Sequence, residues 1–182
     1  LKLDSDGRLL VGTTTEGYST ADDLTIATTG STGITLRSGT SNDGNLFFSD
    51  GTSGGDEYRG YIQYGHASNI MLFGTNATER MRIDSSGRVG IGVTSFHDSS
   101  TRLQLQSSGS DHTGIVLTAA ATSTLAYLYM GDTDDKDIGR LVYDNSSDAM
   151  QMWTNNSERM RINSSGQLIQ RYSEDPYDNR AA

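Results

Sequence analysis

A single phrase written nearly three times constrains the fold of this chain more than any other feature. It reads "ERMRIDSSGRVGIG" over Glu79–Gly92, returns as "ERMRINSSG" over Glu158–Gly166, and opens the chain in altered form as "LKLDSDGRLLVG" over Leu1–Gly12. The marker glycines Gly7, Gly87 and Gly166 recur at a nearly constant interval. Register survives between the markers, since Leu24–Ile26 matches Leu103–Leu105 and Gly60–Tyr64 matches Gly139–Tyr143 at that same interval. The expected organisation is a first module over 1–79, a second over 80–158, and the start of a third with a polar tail over 159–182. A period of this length exceeds the ~20–50 residues of common solenoids, so the modules are expected to be multi-strand units rather than coils of one β-helix.

Within each module the local signals are those of strands and turns. Apolar residues alternate in Arg80-Met81-Arg82-Ile83, and again at Val89, Ile91 and Val93, so each set is expected on one face of a strand. Between the two runs, Asp84-Ser-Ser-Gly87 offers an Asx side chain to bond the local backbone and a glycine able to take a positive φ. Asp4–Gly7 and Asn163–Gly166 repeat that hairpin signal. Gly90 and Gly92 weaken a strand unless something comes close, and close approach of neighbouring chains is the expected reason. Helix signals are nearly absent, and the single proline, Pro176, lies in the tail. The expected fold is all-β.

Composition narrows the function. Only 34% of the 182 residues are hydrophobic, which suits a protomer that completes its core with copies of itself better than a self-sufficient globule. A net charge of −9 repels a phosphate backbone, so nucleic acid is not an expected partner. Arginine outnumbers lysine, present only as Lys2 and Lys136, and Arg80, Arg82, Arg159 and Arg161 are expected first as structural ion-pair formers. The absence of cysteine removes disulfides, thiol nucleophiles and thiolate metal sites. No apolar run approaches the ~18 residues that span a bilayer, so no membrane insertion is expected.

The phrase "TERMRIDSSGRVGIG" (Thr78–Gly92), followed by Val93-Thr-Ser95, and the variant "GRLLVGTTTEG" (Gly7–Gly17) resemble the repeats of bacteriophage tail fibre proteins. Many of these, notably from marine phages, end in a self-cleaving intramolecular chaperone. With the matching strands between copies, the resemblance covers about residues 1–170. It implies an elongated homotrimeric fibre around a threefold axis, outside the cell on a virion, attached to other tail proteins and meeting a host surface glycan or outer-membrane receptor. The sequence departs from the family's pattern in carrying Ser95-Phe96 where "SP" is usual. No chaperone sequence follows the tail, which suggests a chain after chaperone release or one cut short of it.

Candidate sites follow from loops and repeats. Gly51–Gly60 is a loop that the second module shortens, and its Asp56, Glu57, Tyr58 and Arg59 are candidate receptor contacts, with Asp132, Asp134 and Asp135 in the corresponding acidic stretch. Asp132 and Asp134 stand at alternate positions, but Lys136 breaks a calcium loop, so an exposed turn is the expected state. The same acids, with Asp56 and Glu57, are candidates for the paired carboxylates of a tailspike glycan hydrolase acting on capsule or lipopolysaccharide. That enzyme and a bacterial surface adhesin module are the alternative readings; no catalytic residue, metal or cofactor is assigned. The aromatic groups Phe47, Phe48, Tyr58, Tyr61 and Tyr64, and Tyr127, Tyr129, Tyr143 and Trp153, are expected mainly in cross-strand packing. The trimer and turn motif comprises Arg80, Met81, Arg82, Ile83, Asp84, Gly87, Gly90 and Gly92, with Arg159, Arg161 and Gly166.

Overall fold

The computed structural model describes residues 1–107 and 111–171; the polar tail with Pro176 lies outside them. Two compact units divide the chain, Leu1–Thr113 and Gly114–Ala182. Among the described residues every regular element is a strand except one 3-10 turn over Gly54–Tyr58, so the all-β expectation holds. No helix there is long and apolar enough to cross a membrane.

The first unit holds two sheets. A small one comprises β1 (Lys2–Leu3), β2 (Leu9–Val11) and β3 (Leu24–Ile26). The larger has six strands in chain order: β4 (Asp43–Phe48), β5 (Gly60–Gly65), β6 (Ile70–Thr75), β7 (Thr78–Ile83), β8 (Val89–Ile91) and β9 (Leu103–Leu105). The second unit is one sheet of β10 (Leu125–Met130), β11 (Gly139–Asp144), β12 (Ala149–Thr154), β13 (Ser157–Ile162) and β14 (Leu168–Gln170). Neighbours are antiparallel except β2–β3 and β8–β9, whose parallel pairing requires the crossovers 12–23 and 92–102. The sequence period is therefore a strand period: β5–β8 become β11–β14 one interval later, and β1–β3 copy the end of the same pattern. A period fixes a unit's length and not its phase. The divisions at 79/80 and 158/159 fall inside β7 and β13, while the sheets run from Asp43 and from Leu125.

The repeated phrase builds two devices. Its "DSSG" half is a side-chain-stapled turn: Asp84 Oδ1 accepts from the backbone N–H of Ser86 and of Arg88, both at 2.9 Å, and Asp84 Oδ2 accepts from Arg88 Nε at 2.7 Å. Asp4 and Arg8 reproduce the same bonds. The third copy swaps both partners at once, Asn163 accepting from the N–H of Ser165 and Gln167 while its amide reaches Gln167 Oε1 at 3.4 Å. Charge is thus exchangeable here provided both ends change together. An Arg88→Gln change alone is expected to lower the melting temperature more than Asp84→Asn/Arg88→Gln, measured as a double-mutant cycle; strictly additive effects would contradict this pairing.

Its "ERMR" half is a β-bulge. The two-residue turn Asn76-Ala77, with φ of 53° and 55°, is of the type that fits strand twist, and Asn155-Asn156 repeats it at 49° and 54°. Beyond it Thr75 pairs with Thr78 and Gly74 with Glu79, but Phe73 pairs with Met81, leaving Arg80 as the extra residue. Arg159 is the extra residue of β13. The insertion resets the alternation, so Glu79 and Arg82, three apart, share a face and join through two bonds of 2.6 and 2.7 Å. Glu158 and Arg161 form the same bidentate pair. The ion-pair expectation is met by Arg82 and Arg161, whereas Arg80 and Arg159 donate to Thr75 and Thr154 Oγ1.

Gly90 and Gly92 are crowded from within the chain itself. A Cβ on Gly90 would lie 2.5 Å from Val93 Cγ2 and 3.2 Å from the Phe96 ring, which Arg88 covers at 4.3 Å. A Cβ on Gly92 would lie 2.0 Å from the carbonyl oxygen of Gln106, and its φ of 72° ends the strand. That bend corrects the expectation for Val93, which leaves the face of Val89 and Ile91 and folds back, buried, over Gly90.

Candidate functional site

Cross-strand registers sort the side chains of the six-stranded sheet onto two faces of opposite character. One continuous row runs Leu46, Ile62, Phe73, Met81, Ile91, Leu105, and beside it lie Tyr64, Met71, Ile83, Val89 and Leu103. The five-stranded sheet repeats it with Leu128, Leu141, Met152 and Met160, beside Tyr143, Met150, Ile162 and Leu168. The paired rows contain no charged side chain; the bulge residues Arg80 and Arg159 reach Thr75 and Thr154 at the edge of this face.

Burial runs against that pattern. Leu46, Ile91 and Leu103 are 51, 42 and 54% exposed, and Leu128, Met150 and Leu168 are 50, 46 and 60% exposed. The buried apolar side chains among the described residues, Leu10, Val93, Val142 and Ala149, all sit on the opposite, more polar side, as do buried Gln104 and Gln151. There the paired arginines and the folded-back Val93 pack against the sheet, and the rings of Tyr127 and Tyr129 stack 4.1 Å apart and 8° from parallel while staying partly exposed. Phe47, Leu125, Tyr127 and Tyr129 are also exposed on the polar side, so the faces differ in kind: the polar one holds the buried side chains and ion pairs, and the apolar one is an unbroken apolar strip, half-buried to exposed. The segments 33–36 and 114–117 border this face, but Ile34, Leu36, Ile115 and Leu117 are themselves exposed and widen the strip rather than close it. Met81 and Ile83 of the motif belong to the apolar face; Arg82 and Gly90 belong to the other.

The loop candidates fall on the polar face of the first unit. Residues 49–59 join β4 to β5, and 131–138, three residues shorter, join β10 to β11. In the longer loop Arg59 acts as a clamp, donating to Asn76 Oδ1 at 2.8 Å, to Asp56 Oδ1 at 2.5 Å and to Asp50 Oδ1 at 3.4 Å. Ser49 Oγ donates to the carbonyls of Gly51 and Asp56. Glu57 has no partner among the described residues. The clamp sets Tyr58 beside Phe47, ring centroids 6.0 Å apart and tilted by 44°. With Tyr61 and Gln63 these rings line an open surface cavity of about 220 Å³. Tyr61 lies across Gly74, where any Cβ would fall 2.0 Å from its ring. The second unit exchanges the pair, setting Arg140 opposite Trp153 with the guanidinium 5.2 Å from the indole. Tyr58 carried a visible signal, the longer loop; Gln63 carried none.

The acidic stretch of the second unit forms a closed turn. Asp132 Oδ1 accepts from the backbone N–H of Asp134 and Asp135, at 2.9 and 3.0 Å, and Asp135 Oδ2 accepts from Asn156 Nδ2 at 2.7 Å. Backbone donors, first that of Asp135, hold Asp132 below the ordinary carboxylate range, and Asn156 does so for Asp135. Both shifts oppose the raised pKa a glycosidase proton donor needs. Among the described residues no three His, Asp or Glu groups gather to hold a metal.

Carboxylates depressed by partners recur through both units and link stability to pH. Arg88 lowers Asp84, the backbone and side chain of Arg8 lower Asp4, Arg161 lowers Glu158, and the hydroxyls and amides of Ser100 and Thr101 lower Asp98. A depressed folded pKa contributes stability that is complete above the unfolded value near ~4 and is lost as pH falls through the folded value. The melting temperature is therefore expected to hold from pH 7 to about 5 and to drop steeply below about 4. An unchanged midpoint at pH 3, followed by circular dichroism, would contradict these linkages.

The chain matches no family model and no curated protein.

Proposed function

We propose that this chain is a segment of a bacteriophage tail fibre: a virion component outside the cell, built from three copies around an axis, that mediates attachment to the host surface. The observation that carries this reading is the apolar strip, present on the sheet of each unit, whose paired rows contain no charged side chain and many partly exposed apolar ones. Apolar strips of that extent are unfavourable in water unless covered. An identical face on another copy covers one without opposing like charges, and the net charge of −9 then stays on outer surfaces. The threefold arrangement and the virion location come from the resemblance of "TERMRIDSSGRVGIG" to tail fibre repeats.

In this reading the "ERMR" bulge and "DSSG" turn recur because each module must present the same face in the same register. The loop 49–59 carries contacts to a host glycan or outer-membrane receptor, and other tail proteins hold the fibre on the virion. Immunogold labelling of virions with antibody against residues 1–171 tests the role. Gold along the tail fibres is the expected result; virions without label would overturn it, and label confined to the bacterial surface would favour an adhesin.

A further inference from the structure

We infer that the cavity between Phe47, Tyr58, Tyr61 and Gln63 binds one neutral hexopyranose ring, the exposed residue of a surface glycan. The inference rests on the attachment role proposed above and names its ligand class. The walls are aromatic, and a pyranose presents an apolar C–H face that packs on such rings. At about 220 Å³ the cavity falls below the ~300–1,000 Å³ of sites for drug-sized ligands, and so accommodates a single ring rather than a buried chain.

The polar groups fit the same ligand. Gln63 Nε2 donates to Asp43 at 2.7 Å, which fixes the amide and leaves its carbonyl oxygen as an acceptor. The hydroxyls of Tyr58 and Tyr61 have no partner among the described residues. Sugar hydroxyls donate and accept, so they satisfy an acceptor and two hydroxyls together. Charge disfavours anionic sugars: Asp43, Asp50, Asp56 and Glu57 stand at or near the rim, Arg59 is held by Asp56 and Asp50, and Arg80, within electrostatic reach of Tyr61, is accompanied there by Glu79. The rim stays net negative, and a quaternary ammonium, which brings no ring hydroxyls, would leave the Gln63 carbonyl and the two phenols unsatisfied.

The site is preformed and belongs to the first unit alone. The Arg59 clamp orders the loop without a ligand, so binding does not carry the full cost of ordering it. Gly74 makes room for Tyr61, whereas the second unit places Trp153 at the same ladder position and shortens the loop.

Saturation-transfer NMR on the intact chain tests this with methyl glycosides of glucose, galactose, mannose and N-acetylglucosamine, beside glucuronate and choline. At least one neutral glycoside is expected to bind, with affinity falling at least about ten-fold in Tyr58→Ala and less in Tyr58→Phe, and unchanged in Tyr127→Ala. Solution mass and circular dichroism of Tyr58→Ala are expected to match the parent, which separates loss of the site from loss of the fold. Binding of glucuronate or choline alone, no binding by any neutral glycoside, or binding indifferent to Tyr58→Ala and Gln63→Ala would each overturn the inference. A failure here with gold still on the fibres removes only the sugar site. Sugar binding by a chain absent from virions removes only the fibre role.

Discussion

Replacing Phe73 with aspartate is expected to turn an assembled protein into a 19.6 kDa monomer. Phe73 stands third in the row Leu46, Ile62, Phe73, Met81, Ile91, Leu105, with apolar neighbours on both sides, and the nearest cation, Arg80, is engaged with Thr75 Oγ1. Covering such side chains contributes about 1.5–3 kcal/mol for each one fully buried. A carboxylate in that row reverses the sign, since burying it without a partner costs several kcal/mol in every copy. Phe73 is only half-buried in the single chain, so a carboxylate there can still reach water, and circular dichroism should stay strand-like while light scattering reports one chain. Asn45→Asp, on the opposite face of the same sheet, is the matched control and should leave the mass unaltered. A Phe73→Asp protein that keeps the parent's mass would place the contact between copies elsewhere.

The second large effect is expected within the chain. Gly92→Ala combines two penalties: a positive φ of 72°, and a Cβ 2.0 Å from the backbone oxygen of Gln106, which cannot rotate away. Strain of this kind costs ~1–3 kcal/mol and overpacking a similar amount, so a loss of about 3 kcal/mol or more is expected. Gly87→Ala isolates the first penalty, because φ there is 74° while a Cβ would meet nothing within 4 Å. It should cost only about 1 kcal/mol. Urea midpoints for the two variants check the difference; equal losses would mean that the crossover 92–102 shifts to admit the methyl group.

Legibility from sequence followed the range of the interaction. Alternation at Met81 and Ile83 gave the face of β7, and the match of Gly60–Tyr64 to Gly139–Tyr143 gave the corresponding strands β5 and β11, because both signals are carried by adjacent residues. The bulge was hidden. Period-two counting from Met81 puts Glu79 on the apolar face, and only the register fixed by the Asn76-Ala77 turn moves it beside Arg82. The parallel pairing of β8 with β9 was hidden for a similar reason, since a strand's local pattern does not name its partner. Glycine signalled a close approach at Gly90 and Gly92 but not what approaches, and the answers, Val93 and Gln106, come from this same chain.

The candidate site was legible in part. The extra length of the loop 49–59 drew attention to Tyr58, whereas Phe47, Tyr61 and Gln63 join it only through the β4–β5 register and the space above Gly74. Asp56 and Arg59, expected as receptor contacts, are engaged with each other and serve to hold the loop. An apolar strand face was implied by alternation, but its continuity across the strands and the place of the buried side chains on the other side required the ladder registers.

The central claim is that copies of this chain cover one another's apolar faces. Light scattering coupled to size exclusion tests it most directly. A single species with three times the 19.6 kDa mass of one chain is the predicted result. A stable 19.6 kDa monomer at micromolar concentration, with the same strand content and no tendency to associate, would contradict it.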